Sequence, residues 1–403
     1  MSKNKTKWII IAVVVLIITN SVSFIIGNRV PLTLPGGNVQ LSQSSYNEVM
    51  KFQKMFVVKN QLEKYYNGKI DDKVLVSGAI KGMTDSLKDP YTVFMDESES
   101  KQFNTQIQGK DYVGIGIQVA NDNKKITVEG VFADSPAEKA GIKSRDVIEK
   151  VNGTALTGND LNKAVTMMKG KAGTDVTITL NRTGKGSFDV KATREKVSYS
   201  TVTGEMLNNK VGYIDITMFD ENTGTNFKKQ LSQLQTLGMK GLIIDLRDNG
   251  GGVLQDSVSV ASNFITKDKT VTYTVDKNKS KDVYKSEGGS AIGIPVMVLV
   301  NGNTASASEI LSGALRDYKA GTLIGSKTFG KGIVQSTLDT GDNTQLKVTI
   351  AKWYTPLGTN VQHNGFNPDV VVEYPQALLN KPYDRNTDPQ FKKALDMVNE
   401  KMK

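Results

Sequence analysis

The chain has 403 residues, a formal net charge of +10, 38% hydrophobic and 23% charged residues, no cysteine and a single histidine. That length calls for two or more domains, and the composition is that of a globular chain rather than a disordered one. Without cysteine there is no disulfide and no thiolate nucleophile. One histidine, His363, cannot build a two- or three-histidine zinc site, so neither metal nor cofactor is expected. The lysines are spread along the chain without aromatic-interleaved basic blocks, which argues against nucleic acid as a partner.

Lys3, Lys5 and Lys7 precede an apolar run from Trp8 to Ile26, long enough to cross a hydrocarbon core of about 30 Å as a helix. Positive charge on the leading side puts that end in the cytoplasm and the bulk of the chain outside. A cleaved leader with Ser21-Val22-Ser23 as its small-residue site is the alternative. Phe24-Ile25-Ile26 directly afterwards favour one continuous span in the lipid bilayer, an anchor over 1–29. Residues 30–45, with Pro31, Pro35 and Gly36-Gly37, read as a linker.

Helical spacing through Val49, Phe52, Met55, Phe56 and Leu62 predicts a helix over Tyr46 to Tyr66 that closes at Asn67-Gly68. A second helix, Asp72 to Leu87, stops at Lys88-Asp89-Pro90-Tyr91. This N-terminal helical region, 46–108, either packs on the core or joins copies into a homo-oligomer.

Residues 109–196 follow the pattern of a peptide-binding domain. Gly114-Ile115-Gly116-Ile117 fits a carboxylate-binding loop whose small residues free consecutive amides, with the next strand edge taking a peptide by strand addition. Ser135-Pro136-Ala137-Glu138-Lys139-Ala140-Gly141, then Arg145-Asp146-Val147-Ile148 and Val151-Asn152-Gly153, resemble the bacterial PDZ pattern closely. The groove helix is expected at Asp160 to Met168, with Leu161, Val165 and Met168 on the peptide side; many relatives carry Arg where Lys169 stands.

A strand at Val211 to Ile216 and a helix carrying Phe227, Leu231 and Leu234 open an α/β core over 197–374. Gly241 to Leu246 is a buried strand followed by Arg247-Asp248-Asn249-Gly250-Gly251-Gly252, a turn able to expose amides to an anion. No G-x-x-x-x-G-K-[ST] pattern supports a phosphate there, so an oxyanion hole is the better reading. A strand over Pro295 to Val300 then runs through Asn301-Gly302-Asn303 into a helix with Ala307, Ile310, Leu311, Ala314, Leu315 and Tyr318 on its buried face. Ser306 stands where strand becomes helix, and Lys331 follows between Gly330 and Gly332. Taken alone, Ser306 with Glu309 is also a capping box, and Lys331 a solvated loop residue. A serine enzyme lacking a well-placed histidine needs another base, and lysine serves if burial lowers its pKa from ~10.4 to roughly 7–8, on the order of 4 kcal/mol. Gln335 could hold the amine by a hydrogen bond without adding charge.

Asn303-Thr304-Ala305-Ser306-Ala307-Ser308-Glu309, Phe329-Gly330-Lys331-Gly332 with Gln335, and Asp245-Leu246-Arg247-Asp248-Asn249-Gly250-Gly251 resemble the C-terminal processing (tail-specific) peptidases. The resemblance spans roughly 46–374. It implies a multidomain α+β protein, with a ClpP/crotonase-like α/β catalytic core, an inserted PDZ domain and a Ser-Lys dyad. Carried over, Ser306 is the nucleophile, Lys331 the general base, Gln335 its orienting partner, and the amides of Gly251 and Ala307 the oxyanion donors. Thr304 stands where the family more often has Ser, and Gly250 where it often has Pro; neither side chain has a chemical role. Trp353 to Gly358 and Gly365 to Val370 resemble the family's closing segment, with His363 a loop residue between them. The tail, 375–403, is polar with a short amphipathic helix at best.

The implied protein is an exported, membrane-anchored serine endopeptidase that takes protein C-termini on its PDZ domain and cleaves near them. A catalytically inactive, tethered PDZ scaffold is the alternative, and the intact Ser306, Lys331 and Gln335 count against it. An HtrA-type protease would place its catalytic domain before the PDZ domain and show G-N-S-G-G around its serine; this chain does neither.

Overall fold

The computed structural model describes residues 42–109, 112–122, 124–131, 135–143, 145–197, 201–379 and 383–403. The expected anchor, 1–29, and most of the linker lie outside them. Among the described residues no helix is long and apolar enough to cross a membrane. The chain divides into two compact units, one ending at Ala79 and one beginning at Ile80.

In the first unit, α1 (Gln43–Lys51) and α2 (Gln53–Tyr65) stand where one helix was expected. The break is at Phe52, whose backbone leaves the helical region (φ −100, ψ 6) and whose N–H donates to Val49 O at 3.0 Å. Val49, Phe52, Met55 and Phe56, the apolar stripe seen in the sequence, are exposed. Next, α3 (Asp72–Asp85) spans the boundary between the units.

In the second unit, β1 (Val93–Met95) leads into α4 (Glu97–Ile107), which Asp96 and Glu99 open as a reciprocal capping box. The PDZ domain contains β2 (Tyr112–Gly114), β3 (Ile117–Asp122), β4 (Lys125–Val131), α5 (Pro136–Lys139), β5 (Val147–Val151), β6 (Thr154–Ala155), α6 (Leu161–Met168), β7 (Asp175–Arg182), β8 (Gly186–Thr193) and β9 (Glu195–Val197). Its sheet runs β3-β4-β5-β7-β8, with β6 on β5, while β2 pairs with β9. Ile126 and Val128, and Ile178 and Leu180, alternate inward to fill it, joined by Ile148 and Val151 on either side of a register shift in β5.

The second domain of this unit is built on β10 (Val202–Met206), β11 (Val211–Ile216), α7 (Thr223–Thr236), β12 (Gly241–Asp245), α8 (Leu254–Ser262), β13 (Thr270–Asp276), β14 (Lys281–Lys285), β15 (Val296–Val300), α9 (Ala307–Asp317), β16 (Thr322–Gly325), β17 (Ile333–Gly341), β18 (Thr344–Tyr354), β19 (Val370–Val371) and α10 (Pro389–Lys401). The main sheet has the order β10-β11-β12-β15-β16-β19 and is parallel from β11 onward. Both faces are covered, as a parallel sheet requires. Ile214, Ile216, Ile244, Val298 and Val300 face one core with Phe227, Leu231 and Leu311. Tyr213, Ile243, Met297 and Leu299 face the other, closed by Phe391, Ala394 and Val398 of α10. The tail is therefore not merely polar. Its 13-residue helix buries one face of the sheet, and its N-cap Asp388 accepts from Gln390 N and Phe391 N.

A further difference from expectation is a second sheet, β1-β18-β13-β14 with β17 on β18, all antiparallel. Strands and helices do not simply alternate through 350. At its edge β1, from the segment before the PDZ domain, pairs Val93 with Lys347 and Met95 with Gln345. The chain thus enters this domain, leaves to form the PDZ domain, and returns.

Candidate active site

Ser306 ends the turn between β15 and α9 with φ 55 and ψ −116, a conformation that L-residues other than glycine seldom adopt. The residues after it, Ala307 to Leu315, are all buried, whereas Ser306 is half-buried. Ser306 and Glu309 face one another as a capping box. The Ser306 N–H donates to Glu309 Oε2 at 2.9 Å.

Glu309 does far more than cap. It is fully buried, and its carboxylate takes four donors. Oε1 accepts from Thr328 Oγ1 at 2.6 Å and Gly330 N at 2.9 Å, and Oε2 accepts from Ser306 N and Lys331 N, each at 2.9 Å. Two amides on one oxygen lie no further apart than twice that distance, so the serine loop and the lysine loop meet here. Gly330 has φ +91, and a Cβ on it would stand 2.6 Å from Gly365 N, so only glycine lets this strand of chain pass. The carbonyl of Lys331 accepts from Trp353 Nε1 at 2.8 Å. Both ends of the Lys331 peptide framework are pinned, leaving the side chain as its adjustable part.

The Lys331 amine is half-buried, with Nζ 4.5 Å from the centroid of the Tyr91 ring. Burial, with the like charge of Lys347, pushes it down to about 8, against the pull of Asp89. Gln335 is placed on β17 opposite Thr349, after a bulge at Val334/Gln335. Its Nε2 is buried and makes no hydrogen bond. Among the described residues no hydrogen bond joins the Lys331 amine to Ser306 or to Gln335; the expected Gln335–Lys331 contact is not made in this structure. His363 is exposed, its Nε2 3.3 Å from Gln362 Nε2, and no hydrogen bond joins it to Ser306.

The glycine turn lies against the serine. A Cβ on Gly251, at φ +96, would stand 2.7 Å from Ala305 O and 2.8 Å from Ser306 Cβ. Asn249 joins the two turns: its carbonyl accepts from Ala305 N and Ser308 Oγ, each at 3.0 Å, and its Nδ2 donates to Ile216 O at 2.6 Å. Asp248 Oδ1 takes Nδ2 of Asn301 and of Asn303. Of the two expected oxyanion donors, the Gly251 N–H already donates to Asn249 Oδ1 at 2.9 Å and is not an open donor here. The Ala307 N–H, in the first turn of α9, has no intrahelical partner. Arg247 points the other way, bonding Asp245 at 2.6 Å and Asp388 at 2.6 Å, and so ties the turn to α10.

In the PDZ domain, Gly114, Ile115, Gly116, Ile117, Val165 and Met168 line one groove of about 280 Å³. Leu161 is not on its lining; it packs at the edge of the domain core. Lys169 closes one end, its amine 5.3 Å from the Tyr112 ring centroid and its pKa lowered by burial. Gln102, Thr105 and Gln106 of α4 also line the groove. The sequence offered no signal for that, nor for the reach of Glu309 to Thr328 and Lys331, since neither contact follows a local spacing.

A family model described as peptidase family S41 matches residues 210–372, one described as a PDZ domain matches 113–191, and one described as the activating protease CtpB N-terminal domain matches 34–99. The carboxy-terminal processing protease CtpA of Bacillus subtilis (strain 168) is 39% identical over 88% of this chain and 76% of its own length. A probable CtpA-like serine protease of Staphylococcus epidermidis (strain ATCC 12228 / FDA PCI 1200) is 40% identical over 82% of this chain and 67% of its own. Among solved structures, the photosystem II D1 C-terminal processing protease superposes with a TM-score of 0.54 at 30% identity, over 79% of this chain and 86% of that one. A putative S41 protease from Bacteroides fragilis NCTC 9343, at 16% identity and a TM-score of 0.58, covers 83% and 93% and shares the fold. The chain belongs to peptidase family S41, as a serine-type C-terminal processing peptidase with a PDZ domain.

Proposed function

We propose that this peptidase acts through a Ser306–Lys331 dyad outside the membrane, tethered by an N-terminal anchor over 1–29, on protein C-termini held in its PDZ groove. The observation that carries the dyad is the Glu309 carboxylate, which binds the amides of both residues. Lys331, with its amine lowered to about 8, is neutral in about a tenth of molecules at pH 7 and more as pH rises. It takes the Ser306 proton as Oγ attacks the scissile carbonyl, and the Ala307 N–H receives the negative oxygen. The ammonium then protonates the leaving amine, and water repeats the sequence on the acyl-enzyme. Gln335 orients the amine through its Oε1, which accepts an amine N–H and leaves the lone pair for the Ser306 proton, once the Ser306–Lys331 hydrogen bond forms in the substrate complex. Gly251 serves as second oxyanion donor when its N–H turns from Asn249.

The anchor rests on the apolar run Trp8 to Ile26 behind three lysines. Tail capture rests on the groove formed by Gly114 to Ile117 and α6. Ser306→Ala and Lys331→Ala should each abolish turnover of β-casein while retaining binding of a fluorescent peptide with a free, apolar C-terminus. Full activity in Lys331→Ala removes the assigned base, and loss of catalysis in His363→Ala restores histidine to the mechanism.

A further inference from the structure

Tyr91 belongs to the segment before the PDZ domain, far in sequence from the loops of the site, yet the Lys331 amine stands over its ring. Its position is built, not incidental. Asp89 folds the turn by accepting Tyr91 N at 3.0 Å and Thr92 Oγ1 at 2.7 Å. Thr92 Oγ1 in turn accepts Thr349 N at 3.1 Å, and the next residue starts the β1–β18 pairing at Val93↔Lys347. The turn Asp89 to Thr92 is thereby fastened to β18 directly across from Gln335. With the Lys331 N–H on Glu309 and its carbonyl on Trp353, the ring face confines what movement the side chain retains.

We infer that Tyr91 is a positioning residue for the general base: its ring face holds the Lys331 amine and stabilises the ammonium that forms as Ser306 loses its proton. This rests on the dyad reading above. A cation 4.5 Å from a ring centroid lies within the range of attraction by the face. A neutral amine gains much less, so the interaction strengthens as the proton arrives, which is where catalysis profits. The charged groups acting on the amine are Asp89 on the same turn as Tyr91 and Lys347 on β18, while Glu309 on α9 bonds the Lys331 backbone N–H. The Glu309 carboxylate is taken by its four donors, and Asp89 and Lys347 oppose one another, so against the burial that disfavours the charge the ring face adds a pull toward the ammonium.

The experiment is the pH dependence of kcat/KM on β-casein for the full-length chain in detergent, with Tyr91→Phe, Tyr91→Leu and Lys331→Ala. Leucine keeps the apolar cover but removes the face. The midpoint of the acid limb should then move down by roughly half a unit to one unit, while the plateau falls on the order of threefold to thirtyfold. Phenylalanine keeps the face and should keep the wild-type midpoint. A role in packing alone predicts the opposite movement, since loosening the turn admits water and returns the lysine toward its ordinary range. A midpoint unmoved or raised in Tyr91→Leu overturns the inference with the dyad intact, whereas activity in Lys331→Ala overturns the dyad itself. Should the leucine variant fail to fold, pentafluorophenylalanine at position 91 keeps the shape and reverses the charge of the face. It must give the same downward movement, and an unchanged midpoint there also overturns the inference.

Discussion

Glu309→Gln is the substitution that strikes the site hardest for the smallest change in shape. An amide retains one oxygen and puts a donor where the other stood. Whichever way it turns, at least one of the N–H groups of Ser306, Lys331 or Gly330 then faces a donor at a position closed to water. An unsatisfied buried N–H costs about 1–3 kcal/mol, and each remaining bond loses charge assistance, about 1 kcal/mol apiece. A neutral amide is easier to bury than a carboxylate, which offsets part of this. The net loss is about 2–4 kcal/mol, a sizeable share of a total stability of roughly 5–15 kcal/mol. The amide either gives up the oxygen that the two loops share or keeps it and turns a donor on Gly330 N, and in either case a shift of about 1 Å between the proposed nucleophile and base lowers kcat on the order of a hundredfold. Trp353 is fully buried and bonded to the Lys331 carbonyl, so its fluorescence in a Trp8→Phe background reports unfolding of this domain in urea. Glu309→Gln should lower the urea midpoint and reduce kcat with KM little changed. An unfolding free energy within about 0.5 kcal/mol of wild type, with kcat within a few-fold, would refute the clamp.

Lys347→Met removes the like charge that helps hold Lys331 down while preserving an apolar stem near Phe103. The amine should rise above about 8, and the acid limb of kcat/KM should move to higher pH, with lower activity at pH 7.5. A limb that stays or moves down contradicts the charge reading. In the PDZ domain, Gly116 has φ +80 and a Cβ there collides with Ser135, so Gly116→Ala should weaken tail-peptide binding by tenfold or more in fluorescence anisotropy. Reactivity of Ser306 toward a small activated ester should be spared. Undiminished peptide affinity would place the carboxylate elsewhere.

The strands and helices near the chemistry were legible because each carries a complete local signal. Val296–Val300 is continuously apolar, and Ala307 to Leu315 has the spacing of one buried face. The glycines at 330 and 332 can be read as places where the backbone passes close to its neighbours, and a Cβ on either would stand 2.6 Å from a backbone nitrogen. The helix break at Phe52 was hidden because the apolar stripe runs through it without Gly or Pro. The C-terminal helix was discounted because Phe391, Ala394 and Val398 form too sparse a stripe to stand out from lysines and acids.

Residue chemistry and local periodicity by themselves determined the strand and helix on either side of each turn and excluded a cysteine nucleophile, while the pairing of serine with lysine was what the family resemblance implied. Only the tertiary structure decided what surrounds those groups. It brought Glu309 onto both loops, gave the Gly251 N–H to Asn249, and carried Tyr91 across the sequence to the face of the Lys331 amine. A side chain's rotamer and spacing are local matters. The dielectric, partners and charges that tune an amine are supplied by segments distant in sequence, and only the packed chain brings those together.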